Sequence, residues 1–143
     1  MDESEIIALV PGAQELVQLF GYWPSFHDAE VVSVELNRMD LSRIKVHSFE
    51  TSDVVHTLGH YITNKHTIVS FLLEDISGLH LDGFNDQNVI SGLGLDRSDH
   101  GYTLILEDCY GINGSIECAR IFIEMEQGIP PNSVYFTTLQ ENS

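Results

Sequence analysis

The segment from Trp23 to Asp28 concentrates side chains that could do chemistry, including the only Trp of the chain. His27 and Asp28 are adjacent, and such a pair could act as a general base and its orienting carboxylate. Neighbouring side chains of a strand point to opposite faces, so the pair could share a task only in a turn. We favour a structural interpretation, in which Trp23 and Phe26 fill the core beneath a helix. Ser25 or Asp28 would then accept backbone N–H bonds, and His27 would bond a carbonyl.

The remaining histidines raise the question of a metal site. His56 and His60 are four residues apart, which places them on one face of a helix or of a strand, and Asp53 precedes His56 by three. The zincin pattern HExxH, CxxC pairs, the GxSxG elbow and the P-loop are all missing from the sequence. We therefore predict no catalytic residue, no metal and no cofactor. A metal-assisted hydrolase that uses His27 and Asp28 remains the enzymatic alternative.

A second distinctive segment runs from Leu81 to Ile90. Asp82 and Gly83 predict a tight turn after a strand, and Phe84 follows it. Asn85 and Asn88 have side-chain amides that can bond the backbone of the corner leading into the next strand. The same amides could read a ligand, but we favour the corner.

The charge balance restricts the class of partner. The chain has six Lys and Arg residues and 22 Asp and Glu residues, which gives a net charge of −16 with neutral histidines. Six scattered cations cannot form the basic face that nucleic acids or anionic membranes require. The chain could instead attract a basic protein, and the same charge also favours solubility.

Apolar residues recur at helical spacing up to Phe20 and with a period of two after Asp28. The first pattern predicts one helix over about 11–20, which Gly21 ends. The second predicts a β body over about 29–126 and a C-terminal edge segment over 130–143, all in one domain of 1–143. The fold class is therefore mainly β: an antiparallel β-sandwich or a partly open barrel with one N-terminal α-helix. The predicted strands are 30–38, 43–49, 66–74, 79–81, 88–95, 102–107 and 116–125.

Asn113 and Gly114 form the preferred pair for a two-residue type I′ hairpin turn. Such a turn would place Cys109 directly opposite Cys118 in a non-hydrogen-bonded pair. We interpret the two thiols as small hydrophobes rather than a redox pair, because they lack CxxC geometry.

The compartment is predicted from the first residues and the cysteine count. Met1 to Glu5 are acidic rather than basic, and the apolar run that follows ends at Pro11. Two cysteines are few for a small secreted domain. We expect a cytoplasmic protein.

Taken together, the stretches Trp23–Val31 and Gly83–Ile90 resemble the immunity protein 50 family of bacterial polymorphic-toxin systems. The resemblance covers about Gly21 to Ile123, and Asp86 stands where many relatives have a His. It implies a cytoplasmic antidote without catalysis or cofactor, which binds and blocks one cognate toxin domain.

The favoured hypothesis is thus a non-enzymatic protein that neutralises a basic toxin domain, such as a nuclease, through an acidic surface. A β module that binds a small ligand is a further alternative, and self-association stays open. Full protonation of seven histidines would change the charge from −16 to −9, so binding should weaken near pH 5. The motif residues, expected to define the fold and to line one cleft, are Trp23, Phe26, His27, Asp28, Phe84, Asn85 and Asn88. The expected partner-binding residues, on exposed loops and strand faces, are Asp96, Asp99, Tyr102, Asp108, Tyr110 and Glu117.

Overall fold

The computed structural model describes the backbone of residues 1–55 and 61–133, and their side chains outside 51–63. Two short helices precede six strands within these ranges. Strand residues predominate in the described ranges and the strands pair antiparallel, which confirms the mainly β prediction. The expected strand within the C-terminal edge segment, over 134–139, lies outside the described residues. The elements are α1 Glu3–Leu9, α2 Ala13–Phe20, β1 Glu30–Glu35, β2 Ser42–Val55, β3 Tyr61–Asp82, β4 Val89–Ser98, β5 Gly101–Tyr110 and β6 Asn113–Gln127.

The six strands form one antiparallel sheet that closes into a ring in the order β1-β2-β3-β6-β5-β4. β3 is the longest strand, and the segments predicted separately as 66–74 and 79–81 are both parts of it. A register shift between Ile76 and Gly78 bends β3 where it pairs with β6. The ring closes through a short contact, in which Glu30 of β1 pairs with Val89 of β4.

Apolar side chains of all six strands meet inside the ring. Ile44, Phe71, Leu104 and Ile116 are each fully buried, on β2, β3, β5 and β6. Their positions follow the period-two pattern of the sequence, because alternate residues of a strand face the same side. The interior is therefore a packed core.

The N-terminal helix prediction was correct for α2 but missed α1. Asp2 caps α1 by accepting the backbone N–H of Glu5 at 2.9 Å. Only Ile6 of α1 is buried, so seven residues gave too little helical period to detect. Gly12 separates the helices at φ +91°, and a Cβ there would overlap the carbonyl oxygen of Ile123.

The two helices cover one end of the ring, which we call the helix end. α2 buries Ala13, Leu16 and Phe20 in the core. Its C-terminal carbonyl, on Phe20, accepts a hydrogen bond from Lys65 Nζ at 3.2 Å. A cation at this position also interacts favourably with the helix dipole.

The predicted Asn113–Gly114 turn was wrong, and with it the Cys109–Cys118 pair. Gly114 lies within β6 opposite Leu81, and a Cβ there would overlap the carbonyl oxygen of His80. The glycine therefore serves a close strand approach rather than a turn. Cys118 instead pairs with Tyr102 and is buried, whereas Cys109 is exposed. Burial raises the pKa of the Cys118 thiol to about 11.

Candidate functional site

The two sequence blocks that carry the family resemblance meet where the ring closes. The backbone N–H of Asp28 donates to the carbonyl of Ile90 at 3.0 Å, and the N–H of Ile90 donates to the carbonyl of Ala29 at 3.0 Å. The N–H of Val31 donates to the carbonyl of Asn88 at 2.8 Å. The conspicuous blocks of the sequence thus join the first strand to the fourth.

The structural interpretation of the first block agrees with the observed contacts. Phe26 is buried between Trp23 and Phe71, with both pairs of ring centroids 5.8 Å apart. Ser25 Oγ accepts the backbone N–H of His27 at 3.2 Å, as expected for one of the two proposed acceptors. Phe26 adopts φ +60°, which turns the chain sharply from α2 into β1.

His27 and Asp28 lie in a turn, the one geometry in which an adjacent pair can act together. His27 Nε2 is 3.5 Å from Asp28 Oδ2, and both side chains are exposed. His27 Nδ1 is 3.0 Å from the carbonyl oxygen of Ser91, to which the ring is hydrogen-bonded. The exposed pair therefore holds the turn against β4.

The second block forms the backbone corner that its amides predicted. Asn88 Oδ1 accepts the N–H of Asn85 at 2.7 Å and that of Ile112 at 3.2 Å. Asn88 Nδ2 donates to the carbonyl of Asn85 at 2.8 Å. Asn85 Oδ1 in turn accepts the N–H groups of Gln87 and Asn88, each at 2.8 Å. Asn88 is buried at φ +50°, a conformation that Asn tolerates better than most residues.

The seven motif residues do not share one open cleft. Phe26 and Asn88 are buried, while Phe84 projects to solvent with 66% of its surface exposed. Phe84 instead lines a groove of about 430 Å³. The other residues that line this groove are Val34, Leu81, Asp82, Gly83 and Ile112.

This groove lies at the end of the ring opposite the helices. Residues 34–42, 74–84 and 110–113 form this end, which we call the open end. A second groove of about 540 Å³ opens here between the β1–β2 connection, Asn37 to Ser42, and Glu74 to Ile76 of β3. No described element packs over this end. Large apolar side chains are exposed around it, and only Phe84 and Tyr110 among them were expected site residues. They are Leu36, Met39, Leu41, Leu79, Phe84 and Tyr110.

Carboxylates also align on the outside of the sheet. Asp96 pairs with Thr103, Thr103 pairs with Glu117, and the three side chains share the outer surface of β4, β5 and β6. Asp99 follows in the turn after β4, and we call Asp96, Asp99 and Glu117 the outer acidic face. Asp96 is 3.4 Å from the N-terminal amine, whereas Asp99 and Glu117 form no ion pair with described residues.

The other expected partner-binding residues differ in their exposure to solvent. Asp108 and Tyr110 are exposed near the end of β5, close to the open end. Tyr102 does not fit the expectation, because it is half-buried and packs against the core. Its position alternates with that of Thr103, so its side chain points into the ring.

A buried polar network lies on the side of the ring near the helix end, and the sequence analysis missed it. His47 is fully buried, with Nδ1 2.6 Å from Glu30 Oε1 and Nε2 2.9 Å from His66 Nδ1. Ser133 Oγ also donates to Glu30 Oε1 at 2.5 Å. The residues are far apart in sequence, and only the register of β1, β2 and β3 brings them together.

Burial and the neighbouring His47 lower the pKa of His66 to about 4, although Glu30 opposes this shift. His66 therefore stays neutral near pH 5, and at most six of the seven histidines can gain charge there. The nitrogens of His47 and His66 face each other rather than a common ligand. Within the described residues, no group of three or more His, Cys, Asp or Glu is arranged to hold a metal ion. His56 and His60 lie outside them.

None of the described helices is long and apolar enough to span a membrane. A search of the curated proteins and a search of the solved structures both give no match. The family model described as Immunity protein 50 matches residues 12–128. This match includes α2, the six strands and both sequence blocks that close the ring. The chain therefore belongs to the immunity protein 50 family.

Proposed function

We propose that this protein is a cytoplasmic immunity protein that binds a cognate bacterial toxin domain and neutralises it without catalysis. Membership of the family supports a toxin as partner. The observation that carries the acidic mode of binding is the outer acidic face, where Asp99 and Glu117 project to solvent without an ion pair among the described residues.

The charge distribution supports a basic toxin domain, such as a nuclease, as the partner. Two of the six Lys and Arg residues lie beside carboxylates: Lys65 pairs with Glu50 at 3.2 Å, and Arg120 lies 3.6 Å from Glu74. Uncompensated carboxylates at the surface attract a basic protein over a distance of about 10 Å at 0.1 M salt. They would accelerate encounter and present charges that resemble those of a nucleic-acid substrate.

The experiment is a direct binding measurement with the toxin domain. The probe is the C-terminal domain of the protein encoded immediately upstream, produced as an inactivated variant. We expect a nanomolar complex whose association slows as salt is raised from 50 to 500 mM, because screening acts on the encounter. Failure to bind this domain, or failure to protect cells that produce its active form, would contradict the proposed function.

A charge-neutralised variant tests the acidic mode separately. Asp96→Asn, Asp99→Asn and Glu117→Gln together remove three charges from the outer acidic face. The matched control neutralises three exposed carboxylates that do not border this face, Glu3 and Glu15 of the helices and Glu126 of β6. We expect slower association and a smaller salt dependence for the first variant, with little change for the control. Equal effects of the two variants would mean that only the overall charge matters.

A further inference from the structure

The open end combines exposed apolar side chains with a rigid support. Phe84 follows the Asp82–Gly83 turn, in which Asp82 Oδ1 accepts the N–H of Gly83 at 2.8 Å. Phe84 precedes the corner that Asn85 and Asn88 hold by five hydrogen bonds. Backbone bonds on both sides therefore fix the chain that carries an exposed aromatic ring. An anchor that is ordered before binding loses less entropy when it contacts a partner.

The groove beside Phe84 can accept an apolar side chain from a partner. Val34, Leu81 and Ile112 form its apolar wall, and its volume is about 430 Å³. Leu79, Met39 and the neighbouring groove extend the apolar surface along the bent half of β3. A hydrophobic centre of this kind is typical of the core of a protein–protein interface.

Charges surround the apolar centre and are almost all negative. Arg38, on the β1–β2 connection, is an exposed cation at the open end, where six carboxylates are also exposed. These carboxylates are Glu35, Asp40, Asp75, Asp82, Asp86 and Asp108.

We propose that the open end is the surface that seats the toxin domain, through an apolar side chain of the toxin flanked by Lys or Arg. This inference rests on the proposed function: the outer acidic face attracts the toxin at a distance, and the open end is the surface on which the toxin is seated. Charge complementarity favours the toxin over a second copy of this chain, because two open ends face to face would bring their acidic rims together. In this arrangement the apolar groove and Phe84 hold the complex, and the rim carboxylates accelerate its formation.

The first test compares two single variants of the full chain by binding kinetics with the inactivated upstream toxin domain. Phe84→Ala removes the exposed anchor, and Leu9→Ala removes an apolar side chain that is 38% exposed at the helix end. We expect Phe84→Ala to weaken binding by about 30-fold, mainly through faster dissociation, as for a hot-spot residue. Leu9→Ala should bind as tightly as the wild type. Thermal unfolding of both variants establishes that they are folded.

The second test compares two pairs of charge variants in the same assay. Asp75→Asn with Asp86→Asn neutralises part of the rim, and Glu3→Gln with Glu15→Gln neutralises the helices by the same amount. We expect association to slow several-fold for the rim pair and little for the helix pair at low salt.

The outcomes separate the two proposals. If the wild type does not bind the toxin domain, the proposed function fails and this inference fails with it. If the wild type binds but Phe84→Ala and the rim pair bind equally well, the function stands and the open end is not the contact surface. Light scattering of the free protein tests the other occupant: a dimer that Phe84→Ala dissociates would assign the open end to a second copy of the chain.

Discussion

The two ends of the ring differ in how their apolar side chains are covered. At the helix end, α2 inserts Leu16 and Phe20 into the core, and both side chains are almost fully buried. At the open end, no described element covers the ring, and Phe84 and Met39 are 66% and 94% exposed. Both ends have apolar side chains, but Leu16 and Phe20 are packed in the core, whereas Phe84 and Met39 are not.

The difference indicates where the molecule has surface available for a partner. A buried Phe contributes to stability by leaving water, whereas an exposed Phe contributes nothing of this kind until another molecule covers it. Contiguous apolar patches on soluble proteins commonly mark interaction sites. The comparison therefore predicts that substitutions at the helix end change folding and substitutions at the open end change binding.

The largest expected effect is on stability at the helix end. Phe20→Ala should lower the free energy of unfolding by about 3–5 kcal/mol, because it leaves a cavity in the core. Phe84→Ala, the same substitution at an exposed site, should change it by about 0.5 kcal/mol or less. Urea denaturation of the two variants measures both values. Similar losses of stability would show that the open end is also part of the folded core.

The next effect concerns the corner that supports Phe84. Asn88→Ala should lower the free energy of unfolding by about 2–3 kcal/mol, because the half-buried N–H of Asn85 and the buried N–H of Ile112 lose their acceptor. Gln87→Ala is the control, since Gln87 is exposed and its backbone N–H keeps its bond to Asn85. We also expect Asn88→Ala to weaken toxin binding although its own side chain is buried. Unchanged affinity in a folded Asn88→Ala variant would argue against a preordered anchor.

A pH change should alter the stability of the fold through His66, in the buried network near the helix end. His66 has an ordinary pKa of 6.5 in the unfolded chain and about 4 in the fold, so the folded state binds fewer protons between these values. Its contribution to stability is therefore complete above pH 6.5 and is lost as the pH falls towards 4. We expect the melting temperature to drop between pH 7 and pH 5, and His66→Gln to reduce this slope. Gln87→Ala, which changes an exposed side chain that does not titrate, should keep the wild-type slope.

The smallest effect is chemical rather than energetic. Cys109 is exposed near the open end, whereas Cys118 is buried with a pKa raised to about 11. Thiol titration of the native protein should therefore show one rapidly reacting thiol, which Cys109→Ser removes. The second thiol should react only on unfolding. Two fast thiols in the native protein would contradict the register that buries Cys118.

The elements of the fold that could be predicted from the sequence are those that depend on local residue patterns. Alternation from Val31 onwards identified the strands, and the spacing of Leu16 and Phe20 identified α2, because both periods follow from backbone geometry. The Asn85–Asn88 corner was predictable because each amide bonds a backbone group a few residues away. The Asn113–Gly114 turn was predicted wrongly, because the long-range pairing of β6 with β3 outweighed the local preference of Asn-Gly for a hairpin turn.

In the candidate site, too, local features could be predicted and long-range contacts could not. The two sequence blocks were conspicuous, but their role in joining β1 to β4 depended on strand order, which no local pattern contains. The exposure of Leu79 was hidden for a related reason: its place in the sequence is that of one more alternating strand residue, and it is exposed because no described element packs over its end of the ring. The Glu30–His47–His66 network likewise required the register of three strands.

The most direct test of the account is hydrogen exchange of the protein alone and bound to the inactivated toxin domain. The account predicts that peptides covering residues 36–41 and 79–87 gain protection in the complex, while those covering α1 and α2 exchange unchanged. Protection at the helices, with residues 79–87 unaffected, would contradict it and place the toxin at the opposite end of the ring.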